Sequence, residues 1–209
     1  MAGRDARGTM DTELLSADRA KDVAHAAELL RQGRIVAFPT ETVYGLGARA
    51  DDPDALAELS RVKHRPQEKK FALLIPWPDE MRRYGVPGPA AVALAQAFWP
   101  GPLTLVIPDG RGGDIGLRCP VCPVTAELLR LVGTAVAAPS ANVSGQPAAT
   151  TAAQVVRTFA GRIAAVLDGG PATIGEPSTV VRVTDGHLSV LRHGAISEAR
   201  LREALAPGV

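Results

Sequence analysis

Short apolar runs that break off into small, hydroxyl-rich segments set the narrowest limit on what this chain can fold into. Ile35-Val36-Ala37-Phe38 runs into Pro39-Thr40-Glu41-Thr42-Val43-Tyr44-Gly45-Leu46-Gly47. Thr134-Ala135-Val136-Ala137-Ala138 runs into Pro139-Ser140-Ala141-Asn142-Val143-Ser144-Gly145, and Ala164-Ala165-Val166-Leu167 into Asp168-Gly169-Gly170-Pro171. Runs this short and this apolar read as buried strands. Ligands bind beyond the carboxyl ends of strands in open α/β sheets. The junctions therefore predict one composite pocket, and with it an enzyme.

Helix signals alternate with these strands. Ser16 is placed to cap a helix over 17–32 that Gly33 stops, and Asp52-Pro53 opens another with Leu56, Leu59 and Val62 on one face and Lys63 near its end. Further helices are predicted over 89–98, over 123–132 before Gly133, over 151–159 behind Thr150, and from Ser197 to about 205. Strands are expected at 71–75, 103–107 and 115–118. A hairpin over 179–183 and 188–192 turns at Asp185-Gly186. The hairpin makes the sheet mixed rather than purely parallel. Residues 1–15 read as a flexible tail and 16–205 as one α/β domain.

Composition removes several classes of function. A hydrophobic share of 46% in 209 residues supports a real core, and 4% aromatics make that core aliphatic. The 23 basic and 22 acidic residues leave a net charge of +1, which gives no global pull toward nucleic acid but leaves room for a local patch. No apolar run is long enough to span a membrane. Residues 1–9 are polar, without a hydrophobic leader pattern. Two cysteines make no disulfide framework, so a reduced, cytoplasmic setting is expected.

The polar segments carry the chemistry. Thr40 and Thr42 point to one side of an extended chain, with Tyr44 beside them, and can bind a small polar molecule or close a polar turn. Gly45 and Gly47 allow close backbone approach. In Lys63-His64-Arg65-Pro66-Gln67-Glu68-Lys69-Lys70, Pro66 biases Arg65 to extended geometry. Lys63, Arg65, Gln67 and Lys69 then share a side that suits a polyphosphate, although a solvated, cation-favouring helix end fits the same residues. Ser140, Asn142 and Ser144 repeat the same-parity pattern. Neither G-x-x-x-x-G-K-[ST] nor G-x-G-x-x-G is present. Cys119 and Cys122 form a lone C-x-x-C without further ligand spacing, so no metal site is expected. Asp168 is the best single acidic candidate, against a turn-capping role.

Taken in order, these segments carry a family resemblance. Phe38-Pro39-Thr40-Glu41-Thr42-Val43-Tyr44-Gly45-Leu46-Gly47 is followed by Lys63-His64-Arg65-Pro66 and Trp99-Pro100-Gly101-Pro102-Leu103-Thr104. Then come Ala138-Pro139-Ser140-Ala141-Asn142-Val143-Ser144-Gly145, Asp168-Gly169-Gly170, Pro177-Ser178-Thr179-Val180-Val181 and Leu191-Arg192-His193-Gly194. The set resembles the YrdC-type threonylcarbamoyl-AMP synthases over about 16–205, in their short single-domain form. The resemblance implies a twisted mixed sheet with flanking helices and a large concave substrate cleft. It implies a nucleotidyltransferase that makes threonylcarbamoyl-AMP and pyrophosphate from L-threonine, bicarbonate or CO2, and ATP. The product serves the t6A modification at position 37 of tRNAs reading ANN codons, through the tRNA threonylcarbamoyltransferase complex. By position, Thr42, Arg118, Ser140 and Ser178 resemble threonine contacts, and Thr40 joins them from its place beside Thr42. Arg65, Lys69, Asn142, Thr150 and Arg192 resemble ATP contacts, with Ser144 added by its parity. Lys63 and Arg65 are the expected catalytic cations, and Mg2+ is expected with ATP.

This chain departs from the family's usual pattern in three places. Lys70-Phe71 stands where Pro-Leu is common. Val121 and Cys122 stand where Asp with His or Asn is common, and Glu176-Pro177-Ser178 replaces a Glu-Ser pairing. Two other functions fit the same resemblance: a tRNA- or double-stranded-RNA-binding module using a basic concave face, and a carbamoyl-transfer module. Steeply salt-dependent binding without ATP turnover would mark the first. Dependence on carbamoyl phosphate would mark the second.

Overall fold

The computed structural model describes residues 11–66, 70–184 and 187–206. Its strands are β1 (Glu13–Ser16), β2 (Val36–Phe38), β3 (Gly45–Arg49), β4 (Leu73–Leu74), β5 (Leu103–Pro108), β6 (Asp114–Arg118), β7 (Val136–Ala137), β8 (Ala165–Asp168), β9 (Thr179–Thr184) and β10 (His187–Arg192). Its α-helices are α1 (Ala20–Arg31), α2 (Pro53–Lys63), α3 (Met81–Tyr84), α4 (Pro89–Phe98), α5 (Pro123–Val132), α6 (Ala152–Phe159) and α7 (Glu198–Leu205). The strands form one sheet in the order β1-β8-β2-β3-β7-β4-β6-β5-β9-β10. β8 runs parallel to both β1 and β2, β4 to β6, and β5 to β9, while β2–β3, β3–β7, β4–β7, β5–β6 and β9–β10 are antiparallel. The expected mixed sheet is therefore present.

Side chains alternate across each strand, and that alternation separates the cores. On β2, Val36 and Phe38 join α1 and α5 in one cluster with Leu30, Leu128 and Leu129. Ala37 points the other way, into a cluster with Tyr44, Leu59, Val155 and Phe159 under α2 and α6. A third cluster packs Leu94 of α4 and Leu201 of α7 against Leu103, Leu105, Ile107, Leu117 and Val181 of β5, β6 and β9. The opposite face of those three strands is left for the cleft.

Local signals explain several helix ends. Asp52 caps α2, accepting from the Asp54 and Ala55 amides at 3.1 and 3.0 Å. Ser197 caps α7, and Gly133 ends α5 with φ 79. At α6 the cap is Thr151 rather than Thr150, in a capping box with Gln154. The expectation for Ser16 fails. α1 starts after Arg19 with no side-chain cap, and Ser16 instead closes β1. Residues 13–15 are likewise not tail, because Leu14 and Leu15 pair with Val166 and Leu167. β3 falls in a segment expected as a polar turn. Its Gly-Leu-Gly-Ala sequence has weak strand propensity, and pairing on both edges supplies what propensity lacks. Asp185-Gly186 lies outside the described residues, while the hairpin strands on either side of it pair as expected.

Candidate active site

A cavity of about 660 Å³ opens over the sheet. Its floor is one face of three strands: Thr104 and Val106 from β5, Asp114, Gly116 and Arg118 from β6, and Val180 and Arg182 from β9, with Ser178 just before β9. Its walls are the loop after β2, the end of α2 and the loop after β7. Lys63, Arg65, Lys70, Arg118, Arg182 and Arg192 line it, with Asp114 as the one carboxylate among the described lining residues. The volume suits a small-molecule ligand.

The loop after β2 folds around one hydroxyl. Thr40 Oγ1 donates to the Val43 carbonyl at 2.6 Å and accepts from the Thr42 and Val43 amides. Its proton is thus committed, so the 2.8 Å contact between the two hydroxyls uses the proton of Thr42. Thr42 Oγ1 then offers lone pairs, which suits a donor such as an ammonium group. Thr40 sets the turn. Gly45 lines the cavity, but Gly47 serves the core: a Cβ there would lie 2.5 Å from Phe38 Cε1.

Lys63 organises the loop after β7. Its ammonium donates to the carbonyls of Ser140 at 2.5 Å and Asn142 at 2.7 Å, and to Asn142 Oδ1 at 3.3 Å. Its own carbonyl accepts from the Ser144 amide and hydroxyl. Ser140 Oγ donates to Asn142 Oδ1, and Asn142 Nδ2 donates to the Val143 and Gln146 carbonyls. The serine and asparagine spacing therefore builds a cradle for Lys63 as well as lining the cavity. Burial, with Arg65 nearby, lowers the Lys63 pKa to about 8. Arg65 donates to the Lys70 carbonyl at 2.9 Å and stacks 5.0 Å over the Phe71 ring, and burial lowers its pKa too. Phe71, a departure from the usual pattern, thus supports a cation.

At the other end, Arg118 and Arg192 converge. Arg192 donates to the Ser178 carbonyl at 2.8 Å and to its Oγ at 3.0 Å, and Ser178 Oγ lies 2.8 Å from Thr104 Oγ1. Burial and then Arg118 lower the Arg192 pKa. Arg118 is not an unengaged fork. It pairs with Glu41 at 2.6 Å and reaches the Gly101 carbonyl at 3.3 Å.

The structure gathers Thr40, Thr42, Lys63, Arg65, Arg118, Ser140, Asn142, Ser144, Ser178 and Arg192 in one lining. It does not bring Thr150 there, since that amide and hydroxyl both bond Gln154 Oε1 at the start of α6. Lys69 lies outside the described residues. The third junction also stays away. Asp168 Oδ1 accepts from the Gly170 amide at 2.9 Å, and the Tyr44 hydroxyl donates to the Gly170 carbonyl at 2.7 Å, so this junction is a turn pinned behind the cleft. Burial first of all pushes Tyr44 up to about 12. Val121 and Cys122 also lie outside the lining. Sequence reasoning passed over Thr104, Arg182, Asp114 and Glu41. For Thr104, Asp114 and Arg182 the strand alternation carries the signal, because β5, β6 and β9 turn them onto one face together with Val106, Gly116, Arg118 and Val180.

The profile of the Sua5/YciO/YrdC family, described as "Telomere recombination", matches residues 28–194. The chain belongs to this family. Among similar family members, a Bacillus subtilis protein named threonylcarbamoyl-AMP synthase is 39% identical over 196 residues, which cover 88% of this chain and 57% of that protein. A Halorhodospira halophila protein of the same name is 37% identical over 168 residues, covering 76% and 88%. The crystal structure of Pyrococcus abyssi Sua5 complexed with L-threonine superposes with a TM-score of 0.87 at 34% identity, covering 93% of this chain and 61% of that one. This Sua5/YciO/YrdC chain thus spans little more than half the length of some curated relatives it matches.

Proposed function

We propose that the cleft binds L-threonine and ATP and joins them, with bicarbonate or CO2, into threonylcarbamoyl-AMP. The observation that carries the proposal is the two-ended cleft. One end presents a hydroxyl acceptor and paired arginines, suited to an amino acid. The other presents Lys63, Arg65 and Lys70, suited to polyphosphate. The relatives' names and the threonine complex of the Pyrococcus abyssi protein support the same reading.

The threonine ammonium group, oriented by Thr42 and Ser140, gives up two protons to solvent water as its nitrogen forms an N–C bond to CO2, leaving a carbamate. Arg118 holds the threonine carboxylate with Ser178 beside it; Arg192, which the resemblance put among the ATP contacts, is reassigned to this end because it bonds Ser178 and sits in the field of Arg118. A carbamate oxygen then attacks the α-phosphorus, and the bond to pyrophosphate breaks. Lys63 and Arg65 neutralise the charge that gathers on the departing oxygens, with Lys69 assigned to the same group by position. Asn142 and Ser144 border the nucleotide, while Thr150, bonded to Gln154 outside the lining, is given no contact with it. Positioning does most of the work in such a transfer.

The described residues of the cleft do not form a resident metal site. Its carboxylate, Asp114, is paired with Arg182, and no group of three or more His, Cys, Asp or Glu among the described residues is placed to hold a metal. This donor set fits Mg2+ arriving on ATP, bound by phosphate oxygens and adding charge neutralisation there. The product is assigned to t6A formation at position 37 of tRNAs reading ANN codons, consumed by the tRNA threonylcarbamoyltransferase complex in the cytoplasm. Among the described residues, no helix is long and apolar enough to cross a membrane.

The test is pyrophosphate release from ATP by the purified protein. Release should require threonine and bicarbonate. The rates should rank threonine, then serine, then valine, because a lost substrate hydroxyl leaves polar groups unpaired while a lost methyl costs about 0.8 kcal/mol. ADP as the product, or equal rates without threonine, would overturn the proposal.

A further inference from the structure

We propose that Glu41 is a specificity-determining positioning residue: through Arg118 it tunes the amino-acid end of the cleft to a zwitterion and against anions lacking an ammonium group. The inference rests on the reading of this end as a threonine site. Arg118 and Arg192 both line this end, and a carboxylate ligand needs only one of their charges. Glu41 supplies the balance. Its Oε1 accepts from Arg118 Nη2 at 2.6 Å, and both side chains are more than nine-tenths buried. Its Oε2 is buried with no hydrogen-bond partner in the structure, so no second donor takes up the negative charge. Glu41 does not line the cavity, so it acts on a ligand through Arg118 and through its field. The loop backbone fixes it there, with the Ile174 amide donating to its carbonyl at 2.8 Å.

Charge counting gives the consequence. Two arginines and one carboxylate leave this end at a single positive charge. That matches a carboxylate and spares the ammonium group beside Thr42 a second repulsion. With Glu41 neutral, the end would carry two positive charges in a poorly screened site. An anion without an ammonium group would gain, and the zwitterion would lose its advantage. A purely structural ion pair makes a different prediction: its loss would weaken every ligand alike.

Calorimetric binding of L-threonine and of 3-hydroxybutyrate with matching C3 configuration separates these outcomes. 3-Hydroxybutyrate keeps the carboxylate and hydroxyl and lacks the ammonium group. Wild type should prefer threonine. Glu41→Gln should shrink that preference by about tenfold or more, a field effect of one buried charge, while ATP affinity stays within about twofold. Glu41→Asp keeps the charge and should keep the preference. An unchanged preference in Glu41→Gln, or equal weakening of both ligands, would overturn the inference and leave the threonine site standing. Should Glu41→Gln fail to fold, two results still decide: wild type binding 3-hydroxybutyrate as tightly as threonine, or loss of the preference in Glu41→Asp, overturns it. Wild type that binds no threonine at all would overturn the proposed function together with this inference.

Discussion

A lysine held by carbonyl groups behaves differently with pH from one held by carboxylates. No carboxylate pairs with Lys63 among the described residues, and burial brings its pKa down to about 8. Below that value it is cationic in both folded and unfolded chains. Between about 8 and 10.5 the folded chain sheds the proton first, so Lys63 costs stability at neutral pH and the cost is relieved as pH rises through that window. Nucleotide binding responds in the opposite sense. ATP affinity should fall as pH rises through 8, and Lys63→Arg should flatten the fall; titration calorimetry from pH 7 to 9.5 checks both. The cysteines make a second test at this scale. Cys119 is buried, and desolvation, with Glu41 adding to it, pushes its thiol up to about 12. The double Cys119→Ser, Cys122→Ser variant should keep most activity, and metal analysis should find no stoichiometric zinc. The residue types that make the cleft were legible in the sequence because hydroxyls and cations cluster at strand ends. Their partners were not. Nothing local in Pro39-Thr40-Glu41-Thr42 says that Glu41 reaches across 77 positions to Arg118.

At the scale of elements, the period-2 pattern decides what the sequence reveals. β5, β6 and β9 each put aliphatic residues on one face; on the other, Thr104, Asp114, Gly116, Arg118 and Arg182 alternate along their strands with only Val106 and Val180 as apolar members, and this second face is the cleft floor. That pattern was readable, and so were the helices with Asp52, Ser197 and Gly133 at their ends. β1 and β3 were not. β1 is four residues joined to a strand 152 positions away, and β3 carries two glycines where side chains would signal a strand. Gly47 is the sharper case, since the Phe38 ring occupies the space a side chain would need. Gly47→Ala should destabilise the protein by about 1–3 kcal/mol through overpacking, measured by urea unfolding. Phe38→Leu in the same chain should return part of the loss. Asp52→Ala should cost about 1 kcal/mol by removing the α2 cap, with little change in ATP affinity.

For the whole molecule, the net charge of +1 hides an uneven distribution. The described cleft lining holds six cations and one carboxylate, so everything outside it sums to −4. Among the described residues this distribution concentrates positive charge in the cleft, where small anions are drawn. That consequence reaches the kinetics. In the proposed reaction, the field that speeds the arrival of a triphosphate also slows the departure of pyrophosphate, and salt screens both, because the Debye length is only about 8 Å at 0.15 M. Stopped-flow measurements should show the ATP association rate falling with ionic strength and the pyrophosphate dissociation rate rising. Where product departure limits turnover, the two trends cross, and the proposed reaction should run fastest at an intermediate ionic strength rather than in the most dilute buffer.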